Sequence, residues 1–94
     1  MIAVELTYQN PDPERISLRP QHRERLQRLL DDGKLYAAGP WPDDSGALII
    51  FTTDSIDEAR QLIADDPYLH TPGVSVVGYR EWNAVFGVGR VEAG

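Results

Sequence analysis

Cysteine is absent from the 94-residue chain, which excludes disulfides and thiolate metal sites as staples for the fold. Histidine is scarce, with two residues, and neither stands at a recognisable ligand spacing from the scattered carboxylates. No metal and no cofactor is therefore expected. Long apolar runs are missing as well: none approaches the roughly 18 residues that span a bilayer. Met1-Ile2-Ala3-Val4-Glu5 brings no basic segment leading into an apolar stretch, so no signal peptide is expected and the default location is cytoplasmic. Positive charge is outnumbered, leaving a net charge of -6, which argues against a general affinity for nucleic acid or a membrane surface. No serine nucleophile motif is present, and Gly87-Val88-Gly89 is too short and badly placed for a dinucleotide loop.

What positive charge there is gathers early: Arg15, Arg19, Arg23, Arg25 and Arg28. The plain reading is the solvated side of a helix; a weaker one is that one arginine draws an anionic ligand. A chain of this length makes one domain and buries only about 60–65% of the surface its unfolded form exposes. Without staples, such a domain gains stability by associating.

Alternation of Ile2, Val4, Leu6 and Tyr8 with Ala3, Glu5 and Thr7 predicts a strand with one apolar face. Asn10-Pro11-Asp12-Pro13 breaks it. A helix is expected from between Ser17 and Arg19, with Ser17 as cap and Pro20 in the first turn, to Leu30, with Gly33 in the left-handed position beyond it. Leu18, Leu26 and Leu29 form its apolar stripe, and His22 falls inside that stripe rather than on the polar side. Lys34 to Gly39 predicts a second strand, Pro40 to Gly46 a loop, and Ala47 to Thr53 a third strand, apolar on both faces and so central. Ser55-Ile56-Asp57-Glu58 is a capping box. The helix it opens carries Ile56, Ala59, Leu62 and Ile63 inward and ends near Asp66, because Pro67 disfavours helical geometry there. Asp66 continues the inward line, while Asp65 points away. His70 to Gly73 is a turn, Val74 to Trp82 a fourth strand, and residues 83–94 a tail. In that tail Ala84-Val85-Phe86 adds a short strand or covers a neighbouring subunit.

The order β-α-β-β-α-β predicts a ferredoxin-like α+β domain over residues 1–82, one antiparallel sheet with both helices on one face. The other face is left bare. Tyr36, Ala38, Val77 and Tyr79 sit at alternate positions suited to it, and an apolar face of that size predicts a homodimer packed sheet against sheet. The same topology carries His22, near the start of its helix, and Asp66, at the end of the other, to one edge of the domain beside the Gly39–Trp41 loop. An aspartate accepting from one ring nitrogen fixes the tautomer and frees the other nitrogen for acid–base work. The structural alternative is that the two merely satisfy each other. Tyr8, Gly39, Pro40, Trp41 and Tyr68 are the expected lining of a pocket for a small molecule; His70 is expected to be exposed.

An ordered set of features resembles the YCII-related (YciI-like) family. These are His22, Gly33, Gly39-Pro40, the helix start at Ser55–Ala59, Asp66-Pro67-Tyr68, Gly73-Val74 and Trp82. The likeness departs mildly at Tyr68, where the family more often has Phe. The resemblance implies a dimeric α+β barrel and a His-Asp active site, which maps onto His22 and Asp66. One member type resembling this chain removes chloride from a chlorinated hydroxyquinol, and muconolactone isomerase and small dimeric monooxygenases look similar in architecture. The resulting expectation is a cofactor-independent isomerase or lyase acting on a small cyclic or aromatic substrate. The alternatives are a non-catalytic, small-molecule-binding or stress-related dimeric module, and a structural partner using its sheet face for hetero-association.

Overall fold

The computed structural model describes residues 1–87. Strand β1 (Ile2–Tyr8) turns Ile2, Val4 and Leu6 into the core, where all three are fully buried, and Glu5 and Thr7 outward. The breaker after it does more than break. Asp12 accepts from the Arg15 N–H and, with Pro13 in the first turn, opens a short helix α1 (Pro13–Ser17) that precedes the expected one. Ser17 therefore caps nothing; its hydroxyl donates to the Glu14 carbonyl, 2.7 Å away, inside α1. Helix α2 (Arg19–Asp31) starts from Leu18 without a side-chain cap, and Gly33 follows it with φ 76.

Strands β2 (Leu35–Pro40) and β3 (Gly46–Phe51) form a hairpin. A Cβ at Gly46 would run into the Leu6 carbonyl, so β1 and β3 approach closely only because that position has no side chain. In front of α3 (Ile56–Ala64) the Ser55 hydroxyl accepts from the Glu58 N–H at 3.1 Å. The return half of the capping box is relayed: the Thr53 hydroxyl donates to the Glu58 carboxylate at 2.8 Å and accepts from the Ser55 N–H at 3.0 Å. The helix stops two residues earlier than expected, and Pro67–His70 then form a 3-10 turn before β4 (Val74–Glu81).

The sheet order is β2-β3-β1-β4, with every neighbouring pair antiparallel. This is the ferredoxin-like α+β arrangement, with β3 and β1 in the middle. Leu29 of α2 and Ala59 and Ile63 of α3 pack with Ile2, Val4, Leu6, Ile49 and Phe51 in one core, so the helices cover a single face.

The bare outer face differs in composition from strict alternation. Register shifts fall between Glu5 and Leu6 against β4, and between Leu35 and Ala37 in β2. Each inserts one residue and reverses the parity of the later positions in the strand. Tyr79 consequently pairs with Val4, packs against the core and lies beneath the Arg60 guanidinium, while Ala38 pairs with Ile49 on the helix side. The outer face instead carries Ala3, Leu48, Ile50 and Val77, with Tyr36 meeting Trp82 edge to face at 6.4 Å. Ala84 is buried, Phe86 is 91% exposed, and Ala84–Phe86 adds no strand; positions 88–94 of the tail lie outside the described residues. Among the described residues no helix is long and apolar enough to cross a membrane.

Candidate functional site

Asp66 is positioned by the turn that Pro67 imposes. Its backbone is extended, and one carboxylate oxygen caps the 3-10 turn by accepting from the Tyr68 N–H at 3.1 Å. The other oxygen lies 2.6 Å from Nδ1 of His22, one turn into α2, and 3.9 Å from Nε of Arg25. Asp66 is 2% exposed. With both oxygens engaged as acceptors, the geometry fits an Nδ1–H donating to the carboxylate. The His22 ring also lies flat on the Tyr68 ring, with centroids 4.1 Å apart and planes 13° apart, which fixes its orientation. Among the described residues Nε2 has no hydrogen-bond partner. Arg25, near the same oxygen as His22, donates to the Leu62 carbonyl at 2.9 Å.

Beside His22 opens a cavity of about 450 Å³. One wall comes from α2, with Arg19, His22, Arg23 and Leu26. Strand β2 and the loop after it contribute Ala38, Gly39, Pro40, Trp41, Pro42 and Asp44. Tyr8, Ala47, Ile49 and Tyr68 line the rest. His22 and all five residues expected to line a pocket, Tyr8, Gly39, Pro40, Trp41 and Tyr68, thus meet at one cavity, and Asp66 stands behind the histidine. His70 is exposed and Asp65 faces solvent, accepting from Gln61. No group of three or more His, Cys, Asp or Glu side chains suited to a metal occurs among the described residues.

Behind the tyrosines lies a feature that contradicts the reading of the arginines as one solvated helix side. Arg15 is fully buried. Its guanidinium donates to the Tyr68 hydroxyl at 2.7 Å, to the Asn10 side chain at 2.9 Å and to the Asp44 carboxylate at 3.0 Å, and lies 4.2 Å from the Tyr8 ring centre. Asp44 reaches it from a left-handed turn (φ 57) and also receives Arg19 at 3.3 Å. Burial works against the Arg15 charge, but the Asp44 carboxylate and Tyr68 hydroxyl outweigh it and hold its pKa above the ordinary value. Arg19 is raised too, first by the Tyr68 hydroxyl. Burial, and then the Tyr68 phenol beside it, push the Tyr8 phenol far up, against the pull of Arg15.

The model of the YCII-related domain matches residues 1–83 of this sequence. The chain belongs to the YCII-related family. Protein YciI of Escherichia coli is 34% identical over 82 residues, covering 77% of this chain and 84% of that protein, as is YciI of Shigella flexneri. YjpA of Bacillus subtilis is 34% identical over 61 residues, 65% of this chain and 71% of YjpA. Among solved structures the fold is shared with the 5-chloro-2-hydroxyhydroquinone dehydrochlorinase TftG of Burkholderia phenoliruptrix AC1100, in complex with 2,5-dihydroxybenzoquinone. Its TM-score is 0.66 and its identity 21%, with 87% of this chain and 93% of that one covered.

Within this YCII-related fold, sequence reasoning missed Arg15, Arg19, Arg23, Asp44 and Arg25 as parts of the site. For Arg19 and Arg23 a signal existed. They stand three before and one after His22, and Leu26 follows at four, a spacing that shares one side of a helix. For Arg15 and Asp44, 29 residues apart, there was none.

Proposed function

We propose that the chain is a small, cofactor-independent enzyme in which His22, held by Asp66, moves a proton on a small cyclic or aromatic substrate. The reaction would be an isomerisation or the elimination of a leaving group. The observation that carries this reading is the 2.6 Å His22–Asp66 contact at the wall of a 450 Å³ cavity. Nδ1–H donates to Asp66, so Nε2 carries the free lone pair, takes the proton from the substrate and returns it to the product or leaving group. The stack on Tyr68 holds the ring in that orientation. The dehydrochlorinase sharing the fold acts on an aromatic ring, which supports this substrate class.

The test compares wild type with His22→Gln and Asp66→Asn, first for folding by circular dichroism. Turnover is then followed as chloride release from chlorinated hydroxyquinols and as deuterium exchange into enolisable cyclic ketones and lactones. Loss of the acid–base group should lower turnover about 10²–10⁴-fold. Folded variants that match wild type on a substrate it turns over would sink the reading. Saturable binding without turnover by wild type would favour the binding-module alternative.

We further propose a homodimer packed through the outer sheet face, with the segment after Trp82 laid against the partner. The apolar set Leu48, Ile50 and Val77 on that face, together with exposed Trp82, Val85 and Phe86, supports this. Sedimentation should give a dimer at micromolar concentration and a monomer for Val77→Glu; a clean wild-type monomer would refute it.

A further inference from the structure

Resting on the reading of this cavity as the substrate site, we infer that it selects a planar ring bearing an ionised oxygen, and that Arg23 is the specificity-determining residue that anchors that charge. Three observations lead there.

First, charge at the cavity runs against the charge of the chain. The molecule carries -6 overall. Among the described residues the only carboxylate lining the cavity is Asp44, and it is already shared by Arg15 at 3.0 Å and Arg19 at 3.3 Å. Asp66 does not line the cavity; it is committed behind it to His22.

Second, the guanidinium of Arg23 has no ion pair and no hydrogen bond among the described residues, although it lines the cavity from the same side of α2 as His22 and Arg19. The other arginines nearest this cavity are used elsewhere, Arg15 and Arg19 on Asp44 and Arg25 on the Leu62 carbonyl and Asp66, while Arg28 does not line it. A cation left over at a cavity rim, one residue from the proposed base, is placed to meet an anion there.

Third, apart from Asp44, the lining that β2 and the loop after it contribute is apolar: Ala38, Gly39, Pro40, Trp41 and Pro42. A polar edge against an apolar wall suits a ring whose charge sits at one margin, rather than a fully solvated ion or a purely hydrocarbon guest. An arginine's planar fork is suited to an oxyanion. In chemical terms the ligand is a ring phenolate, enolate or carboxylate. An oxyanion on the ring is also where electron density collects when a neighbouring proton is removed, so the same residue would favour the proposed chemistry.

The probe is 4-nitrophenol, which ionises near neutrality and reports phenol and phenolate by separate absorbance bands. Wild-type protein is titrated across that range and affinities for the two forms are compared. Wild type should bind the phenolate about fivefold more tightly than the phenol, the scale of one partly exposed ion pair. The preference should shrink as salt is raised from about 0.1 M to 1 M, where the Debye length falls from about 10 Å to about 3 Å. Arg23→Gln should abolish it, and Arg23→Lys should restore most of it. Arg28→Gln, which removes the same charge from the same helix away from this cavity, should leave it intact. Benzoate against its neutral isostere benzamide extends the comparison from phenolate to carboxylate. Equal binding of both forms by wild type, or an undiminished preference in folded Arg23→Gln, overturns the inference while leaving the cavity as a ring site. Absence of binding by every ring overturns it together with the proposed function on which it rests.

Discussion

Two polar clusters meet at Tyr68, one on its hydroxyl and one on its ring face, and they differ in whether they are closed. At the hydroxyl, Arg15 is fully enclosed, and its charge is met by Asp44, Asn10, Tyr68 and the Tyr8 ring. At the ring face, His22 spends one nitrogen on Asp66 and presents the ring edge at a cavity wall. A buried charge surrounded by partners from distant segments ties those segments together, and removing it strands the partners. A polar group with one site unspent in a cavity contributes less to holding the fold and is free to act on a guest. The contrast separates a role in holding the fold from the role we propose for His22, within a few residues of each other.

The sharpest way to break that contrast is to empty the closed cluster. Arg15→Met should destabilise the domain by about 3–5 kcal/mol, because it removes the buried donor to the Tyr68 hydroxyl and the Asn10 side chain and leaves Asp44 with Arg19 alone. Thermal melting should fall by more than about 10 °C for a domain of this size. His22→Gln should cost less, about 1–3 kcal/mol, the scale of a buried acceptor left partly unsatisfied, since Asp66 keeps the Tyr68 N–H and the nearby Arg25. If urea denaturation shows the two variants equally destabilised, the division into closed and open clusters is wrong.

A second probe acts on the framework both clusters share. In Gly46→Ala the new methyl collides with the Leu6 carbonyl and forces β1 and β3 apart at the cavity's edge. About 1–3 kcal/mol should be lost, with wild-type-like stability as the contrary outcome. Gly39→Ala meets nothing within 4 Å and should be tolerated by the fold.

The smallest effect is on alkaline stability. The Tyr8 phenol is raised above its ordinary value chiefly by burial. Above about pH 10 the unfolded chain releases this proton while the folded protein keeps it, so the unfolded state gains and stability falls as pH rises. Below pH 10 both states hold the proton and the contribution is unchanged. Tyr8→Phe should therefore show a shallower loss of stability between pH 9 and 11 than wild type, measured by urea denaturation at each pH. An identical slope would remove Tyr8 from the closed cluster.

Much of this was legible in the residues taken in order. Alternation in β1, the Ser55 cap, Gly33 after α2 and Pro67 after α3 are local signals, and local sterics decide them. His22 and Asp66 were found because each interrupts an apolar stripe, and topology alone brings two such stripes to one edge. The short helix α1 was hidden because Asp12 and Pro13 serve equally well to break a strand and to open a helix, and the contacts of the next few residues decide between them. The outer face was misread at Tyr79 and Ala38 for a different reason. A bulge adds one residue without a distinctive sequence mark, and one residue reverses every later side chain.

The sequence by itself thus determined the β-α-β-β-α-β order of the main elements, the ferredoxin-like fold and the pairing of one histidine with one aspartate, though not the short helix α1. These follow from periods, caps and breakers that act over a few residues. Only the tertiary structure decided which arginine is core, which two are spent on Asp44 and which is left at the cavity. A charge's environment is set by groups that arrive from far along the chain, here Asp44 and Tyr68 around Arg15. Its neighbours in sequence carry no record of them.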